Sequence, residues 1–137
     1  MDQPSLKSVL IVEDNKYNRL VLEQLMQNLF NEVDILSWEN SHNFADKIKQ
    51  LKHIPELALL DIKVIPLDGF EMSKILRADN RFQDTKIVAV TADVMVERVD
   101  KIKSTYFDGL ISKPIQRRHF RMLIENILAG ESVWYIT

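Results

Sequence analysis

Acidic, hydroxyl and ammonium side chains follow four short apolar runs in this chain. Glu13 and Asp14 come after Val9-Leu10-Ile11-Val12, Asp61 after Leu57-Ala58-Leu59-Leu60, Thr91 after Ile87-Val88-Ala89-Val90, and Lys113 after Leu110-Ile111. Carboxylates gathered in one place repel each other unless something neutralises them. An oxygen-rich cluster suits a hard divalent cation, and magnesium prefers one or two carboxylates with waters and a phosphate oxygen. Lysine brings a fixed positive charge and threonine a hydrogen-bond donor, the two groups a phosphoryl oxygen needs. A carboxylate can itself accept a phosphoryl group and become an aspartyl phosphate. Taken singly, each residue has an ordinary explanation: an acid at a strand end caps a helix, and a lysine is solvated. The matched positions together point to chemistry.

The elements that must position these groups can be read from the spacing. The runs above, with Val33-Asp34-Ile35-Leu36, are too short for helices, and most lack polar alternation, as in parallel strands buried on both faces. Between them lie helical stripes: Leu22, Leu25, Met26 and Leu29; Phe44, Ile48 and Leu51; Met72, Ile75 and Leu76; and Phe120, Leu123, Ile124, Ile127 and Leu128. A less regular helix is expected over about 94–104, with Val99 and Ile102 as its apolar anchors. Strands alternating with helices predict an α/β fold, a doubly wound parallel sheet of five strands flanked by five helices. In such a sheet ligands bind outside the carboxyl ends of the strands, where the polar residues fall. The second run offers nothing comparable, since Ser37, Trp38 and Glu39 follow it.

Composition narrows the function classes. The 137 residues suit one domain, with 46% hydrophobic and 28% charged residues. A net charge of -2 with mixed signs argues against a nucleic-acid surface. Cysteine is absent, which excludes disulfides, thiolate metal sites and cysteine nucleophiles. No signal peptide precedes the first run, and no apolar stretch approaches bilayer length, so the cytoplasm is the expected compartment. His42, His53 and His119 are scattered without metal spacing.

The motifs Val12-Glu13-Asp14-Asn15, Leu60-Asp61 with Asp68-Gly69, Val90-Thr91-Ala92 and Ser112-Lys113-Pro114 stand in one order. Over about 8–128 the chain resembles the receiver domain of two-component response regulators. The resemblance implies a flavodoxin-like strand order 2-1-3-4-5 and a stand-alone single domain over 1–137, with 129–137 as a tail. It makes Asp61 the phosphoacceptor, with Asp14 and Asp61 binding Mg2+ directly, Glu13 acting through a metal-bound water, and the Lys63 carbonyl as a further ligand. Thr91 would hydrogen-bond the phosphoryl group and Lys113 would pair with it, aimed by a cis bond to Pro114. The small Ala92 fits beside the pocket. The implied donor is a sensor histidine kinase or a histidine phosphotransfer protein. The output would pass to a downstream protein through the fourth helix, fifth strand and fifth helix, with no direct nucleic-acid contact and no membrane insertion; a homodimer is a further candidate assembly. Such a domain is a signalling switch and not an enzyme in the usual sense.

Two departures stand out. The loop Asp61-Ile62-Lys63-Val64-Ile65-Pro66-Leu67-Asp68-Gly69 carries Val64-Ile65 where the family carries Met-Pro, with proline one step later. Leu110 occupies the switch position where receivers place Tyr or Phe, with Tyr106 and Phe107 as nearby substitutes. After Gly130, a helix stop, Val133-Trp134-Tyr135-Ile136 reads as a tail folded over apolar surface or as a docking or dimerisation strand. Two other functions fit parts of the pattern. Haloacid-dehalogenase-like phosphatases also use an aspartyl nucleophile, but they require an acid where Lys63 stands. A binding module that keeps the receiver fold without phosphate control would have lost the acceptor or the acid pair, and both are present.

Overall fold

A computed structural model describes residues 6–136. Residues 1–5 and Thr137, the last residue of the expected 129–137 tail, lie outside the described residues. Strands β1 (Ser8–Val12), β2 (Asp34–Trp38), β3 (Leu57–Asp61), β4 (Lys86–Thr91), β5 (Gly109–Ser112) and β6 (Val133–Tyr135) alternate with helices α1 (Lys16–Leu29), α2 (Phe44–Lys49), α3 (Gly69–Ala78), α4 (Val96–Lys103) and α5 (Arg117–Leu128). The sheet is parallel throughout, in the order β2-β1-β3-β4-β5-β6. It is doubly wound as expected, with one strand more than the apolar runs indicate.

Every residue of β1, β3 and β5 is buried, because helices cover both faces of the sheet. Strand periodicity divides these residues between two layers. Leu10, Val12, Ala58, Leu60, Ile87, Ala89 and Leu110 pack with residues of α2, α3 and α4 such as Phe44, Ile48, Met72, Leu76, Val99 and Ile102. Val9, Ile11, Leu57, Leu59, Val88, Val90 and Ile111 pack with Leu22, Leu25 and Met26 of α1 and with Phe120, Leu123, Ile124 and Ile127 of α5.

Strand β2 runs on to Trp38 where the apolar run ends at Leu36. It is an edge strand, and its pairing with β1 continues to Val12↔Trp38 despite the polar Ser37. The segment after α5 corrects the expected strand count. Helix α5 closes in a Schellman motif: Gly130 takes φ +98, its N–H donates to the Ile127 carbonyl and the Glu131 N–H to the Asn126 carbonyl, both at 3.0 Å. The chain then reverses and adds β6 to the open edge of β5, pairing Gly109↔Val133, Leu110↔Trp134 and Ile111↔Tyr135. A run this short has no periodicity to announce it. What fixes it is the unpaired backbone edge of β5.

Candidate functional site

The sequence motifs are strand ends fused to helix starts. Beyond Glu13 and Asp14, the Asn15 side chain accepts the Asn18 N–H at 2.9 Å and caps α1. Beyond Asp61, Asp68 and Glu71 form a capping box on α3, with bonds of 2.9 and 3.4 Å. A Cβ at Gly69 would stand 2.9 Å from Ile62 Cα and 3.0 Å from the Asp61 carbonyl oxygen, so only glycine lets α3 begin this close to the acidic strand end.

The intervening loop is held from the side. Ser41 Oγ accepts the Leu67 N–H and donates to the Leu67 carbonyl, each at 2.7 Å, while the Ser41 N–H reaches the Ile65 carbonyl at 3.1 Å. Both Ile65–Pro66 and Lys113–Pro114 are cis.

Glu13, Asp14 and Asp61 come together, each offering an oxygen within 4.8 Å of the others, with Glu13 and Asp61 buried and Asp14 exposed. Lys113 Nζ lies 2.5 Å from Glu13 Oε1 and 3.3 Å from Asp61 Oδ2. The other Asp61 oxygen, Oδ1, accepts the Lys63 N–H at 3.2 Å. Glu13 Oε2 accepts the Asn15 N–H at 3.1 Å, and Arg19 braces the turn by donating to the Glu13 carbonyl at 2.8 Å.

Burial pushes the Glu13 carboxyl up to about 7, although Lys113 and the Asn15 N–H favour its charge. Burial alone would lower the Lys113 ammonium, but its contacts with Glu13 and Asp61 outweigh that and hold it above its ordinary value. Lys113 and Glu13 form one buried pair, 2.5 Å apart, in which each favours the charged form of the other.

These residues fit a divalent cation. Three carboxylates face a single ammonium, which leaves negative charge uncompensated. The buried Glu13 Oε1 has that ammonium beside it but no hydrogen bond of ordinary geometry. All-oxygen donors of this kind suit magnesium.

Thr91 ends β4, one step beyond Val90, the register partner of Asp61. Its Oγ1 accepts the Asp93 N–H at 3.0 Å, and its carbonyl accepts the Lys113 N–H at 2.9 Å. Asp93, which sequence reasoning passed over, links this strand end to α4. Its carboxylate takes the Met95 N–H at 3.3 Å and Arg98 Nε at 3.2 Å, with Lys63 Nζ 3.9 Å away. The Met95 N–H, then Arg98 and Lys63, hold the Asp93 carboxyl below its usual range. The Lys63 side chain is 68% exposed. Leu110 is fully buried between Ala89 of β4 and Trp134 of β6. Of its aromatic neighbours in sequence, Tyr106 is exposed, and Phe107 packs edge-on against Phe70 at 5.8 Å. The signal that could have found Asp93 is its place two residues after Thr91 and two before Met95, the spacings of an ST turn and an Asx turn.

The site is thus an acid cluster, a threonine and a lysine gathered at the carboxyl edge of a doubly wound parallel sheet. The family of response regulator receiver domains matches residues 9–125, and this chain belongs to it. The polar-differentiation response regulator DivK of Brucella anthropi is 30% identical over 122 residues, covering 89% of this chain and 96% of that protein. Its counterpart in Brucella ovis matches to the same extent. Among solved structures, the receiver domain of a Pseudomonas aeruginosa sensor histidine kinase, described with a magnesium ion coordinated in its active-site cleft, superposes with a TM-score of 0.78 at 18% identity, covering 92% of this chain and 100% of that one. The chemotaxis response regulator CheY4 of Vibrio cholerae superposes with a TM-score of 0.77 at 18% identity, covering 90% and 99%. These likenesses establish the fold. Receiver domains are signalling domains, and no helix among the described residues is long and apolar enough to cross a membrane.

Proposed function

We propose that Asp61 accepts a phosphoryl group from a phosphohistidine on a sensor histidine kinase or a histidine phosphotransfer protein, and that the chain passes the signal on through protein contacts in the cytoplasm. The observation that carries this reading is the placement of Asp61. It is buried beside Glu13 and Asp14, with one oxygen 3.3 Å from Lys113 Nζ and the other on the Lys63 N–H. A carboxylate oxygen of Asp61 forms the new bond to phosphorus as the phosphorus–nitrogen bond breaks, and the electron pair returns to the imidazole nitrogen.

In this reading Asp14, Asp61 and the Lys63 carbonyl would hold Mg2+, and Glu13 would act on it through a water. The ion supplies charge neutralisation for the incoming phosphoryl oxygens. Lys113, anchored by Glu13, pairs with the same oxygens. The Thr91 hydroxyl donates its hydrogen to them while its oxygen still accepts the Asp93 N–H, and so draws on the start of α4. Leu110, buried and paired in register with Trp134, repacks in response, and the face formed by α4, β5 and α5 carries the output.

Incubation with acetyl phosphate followed by intact mass tests the metal requirement. The chain gains one phosphoryl group in magnesium buffer and none in EDTA. Equal labelling in both buffers contradicts the role given to the acid cluster.

A further inference from the structure

We infer that β6 is a releasable strap on the edge of β5, and that phosphorylation of Asp61 shifts it toward release. The inference rests on Asp61 being the acceptor.

The strap is fitted to its seat. Gly109 does not have the positive φ that would demand glycine, yet a Cβ there would lie 2.9 Å from the Val133 carbonyl oxygen and 3.2 Å from Ile127 Cδ1. The missing side chain is what lets β6 approach. Alternation along β6 then sends its residues into both layers. Trp134 packs against the cluster that holds Leu110, Phe107, Val99 and Ile102, on the α4 side. Val133 and Tyr135 join the α5 side, where the Tyr135 ring lies 5.8 Å from that of His119.

The strap is also lightly held. It makes three register pairs where β1 and β2 make five, all its residues are only half-buried, and Ile136 beyond it is exposed. Elements with few buried contacts open at low free energy.

Strand β5 and helix α4, which both contribute to the cluster that Trp134 packs against, lead to the acidic site. Strand β5 runs through Ser112 into Lys113, whose N–H is bonded to the Thr91 carbonyl at 2.9 Å. Helix α4 is tied to the Thr91 hydroxyl through Asp93 and Arg98, at 3.0 and 3.2 Å. In the docked arrangement Lys113 is engaged by Glu13 and Asp61. A phosphoryl group on Asp61 competes for both the Lys113 ammonium and the Thr91 hydroxyl. Close-packed seats do not deform continuously. Of the elements resting on this one, the three-residue strap gives way at least cost. Its release uncovers the edge of β5 at Leu110.

The chain has two tryptophans, and Trp38 lies on β2 at the opposite edge of the sheet. Trp38→Phe therefore leaves Trp134 as the sole reporter. Acrylamide quenching of Trp134 is read in magnesium before and after acetyl phosphate, with intact mass on the same samples. The quenching constant is expected to rise about twofold or more on phosphorylation and to stay fixed when Asp61→Asn is added. Gly109→Ala, which pushes Val133 away, is expected to give the high value before any donor is present. Unchanged or lower quenching in a chain whose mass carries the phosphoryl group overturns the strap and leaves the acceptor reading standing. A chain that takes up no phosphoryl group overturns both. Gly109→Ala with the quenching of its parent overturns the seating of β6 on Gly109, and with it the inference.

Discussion

Lys113 Nζ reaches from the end of β5 across β4 to lie 3.3 Å from Asp61 Oδ2 at the end of β3. A contact between residues so distant in sequence exists only because parallel strands bring their carboxyl ends to one edge. The same ammonium lies 2.5 Å from Glu13 Oε1, at the end of β1. One lysine thus joins the acids of two other strands.

Replacing that lysine separates its structural role from its chemical one. Lys113→Met leaves the buried Glu13 carboxylate without its counter-charge, and loss of one partner of a buried pair costs about 3 kcal/mol or more. Urea unfolding at pH 8 in EDTA is expected to show this loss, and the remaining folded chain to take up phosphoryl more slowly. Stability and labelling both at wild-type level contradict the role given to Lys113.

Glu13 predicts a slope of stability against pH in EDTA. Burial raises its folded value to about 7 from an ordinary 4.5, so the folded state binds this proton more tightly than the unfolded state does. That contribution is fully present below pH 4.5 and is lost as pH rises through about 7. It amounts to at most about 3 kcal/mol. Glu13→Gln cannot titrate, so the difference in unfolding free energy between wild type and variant should shift against wild type from pH 5 to pH 8. A difference that is constant across this range contradicts the burial of an ionisable Glu13.

Arg77 tests whether the far end of the sheet is purely structural. Its guanidinium donates to Asp108 Oδ2 at 2.9 Å and to the Gln83 and Thr85 carbonyls at 3.2 and 3.3 Å, while Asp108 Oδ2 also accepts the Ile87 N–H at 2.8 Å. This staple joins α3, β4 and the approach to β5. Arg77→Met is expected to cost about 2 kcal/mol in urea unfolding, with labelling of the folded chain unchanged. Slower labelling at full stability would mean that the staple reaches the site.

Much of this was legible in the residues. Apolar runs ending in Glu13-Asp14, Asp61, Thr91 and Lys113 are read directly, because a buried parallel strand shows its length and its last polar residue in sequence. Helix α4 was legible from Val99 and Ile102, both buried. Strand β6 was legible only as two alternatives, a folded-back tail or a docking strand, since what seats Val133–Tyr135 on its own sheet is the open edge of β5 and the room that Gly109 leaves beside it. Ser41 and Asp93 were missed for a similar reason. A serine bonded to Leu67 and an aspartate bonded to Arg98 look like any loop residues until the fold gives them partners. The sequence also showed Leu110 as a gap in an aromatic pattern, and only the register with Trp134 shows which ring lies next to it.

The most direct test of the central claim locates the modified carboxylate. After acetyl phosphate and magnesium, hydride reduction of the acyl phosphate followed by peptide mapping marks the residue that carried it. The mark is expected at Asp61 and nowhere else, and no mark is expected in Asp61→Asn. A mark at Asp14 or another carboxylate, or the same mark retained in Asp61→Asn, would contradict the account.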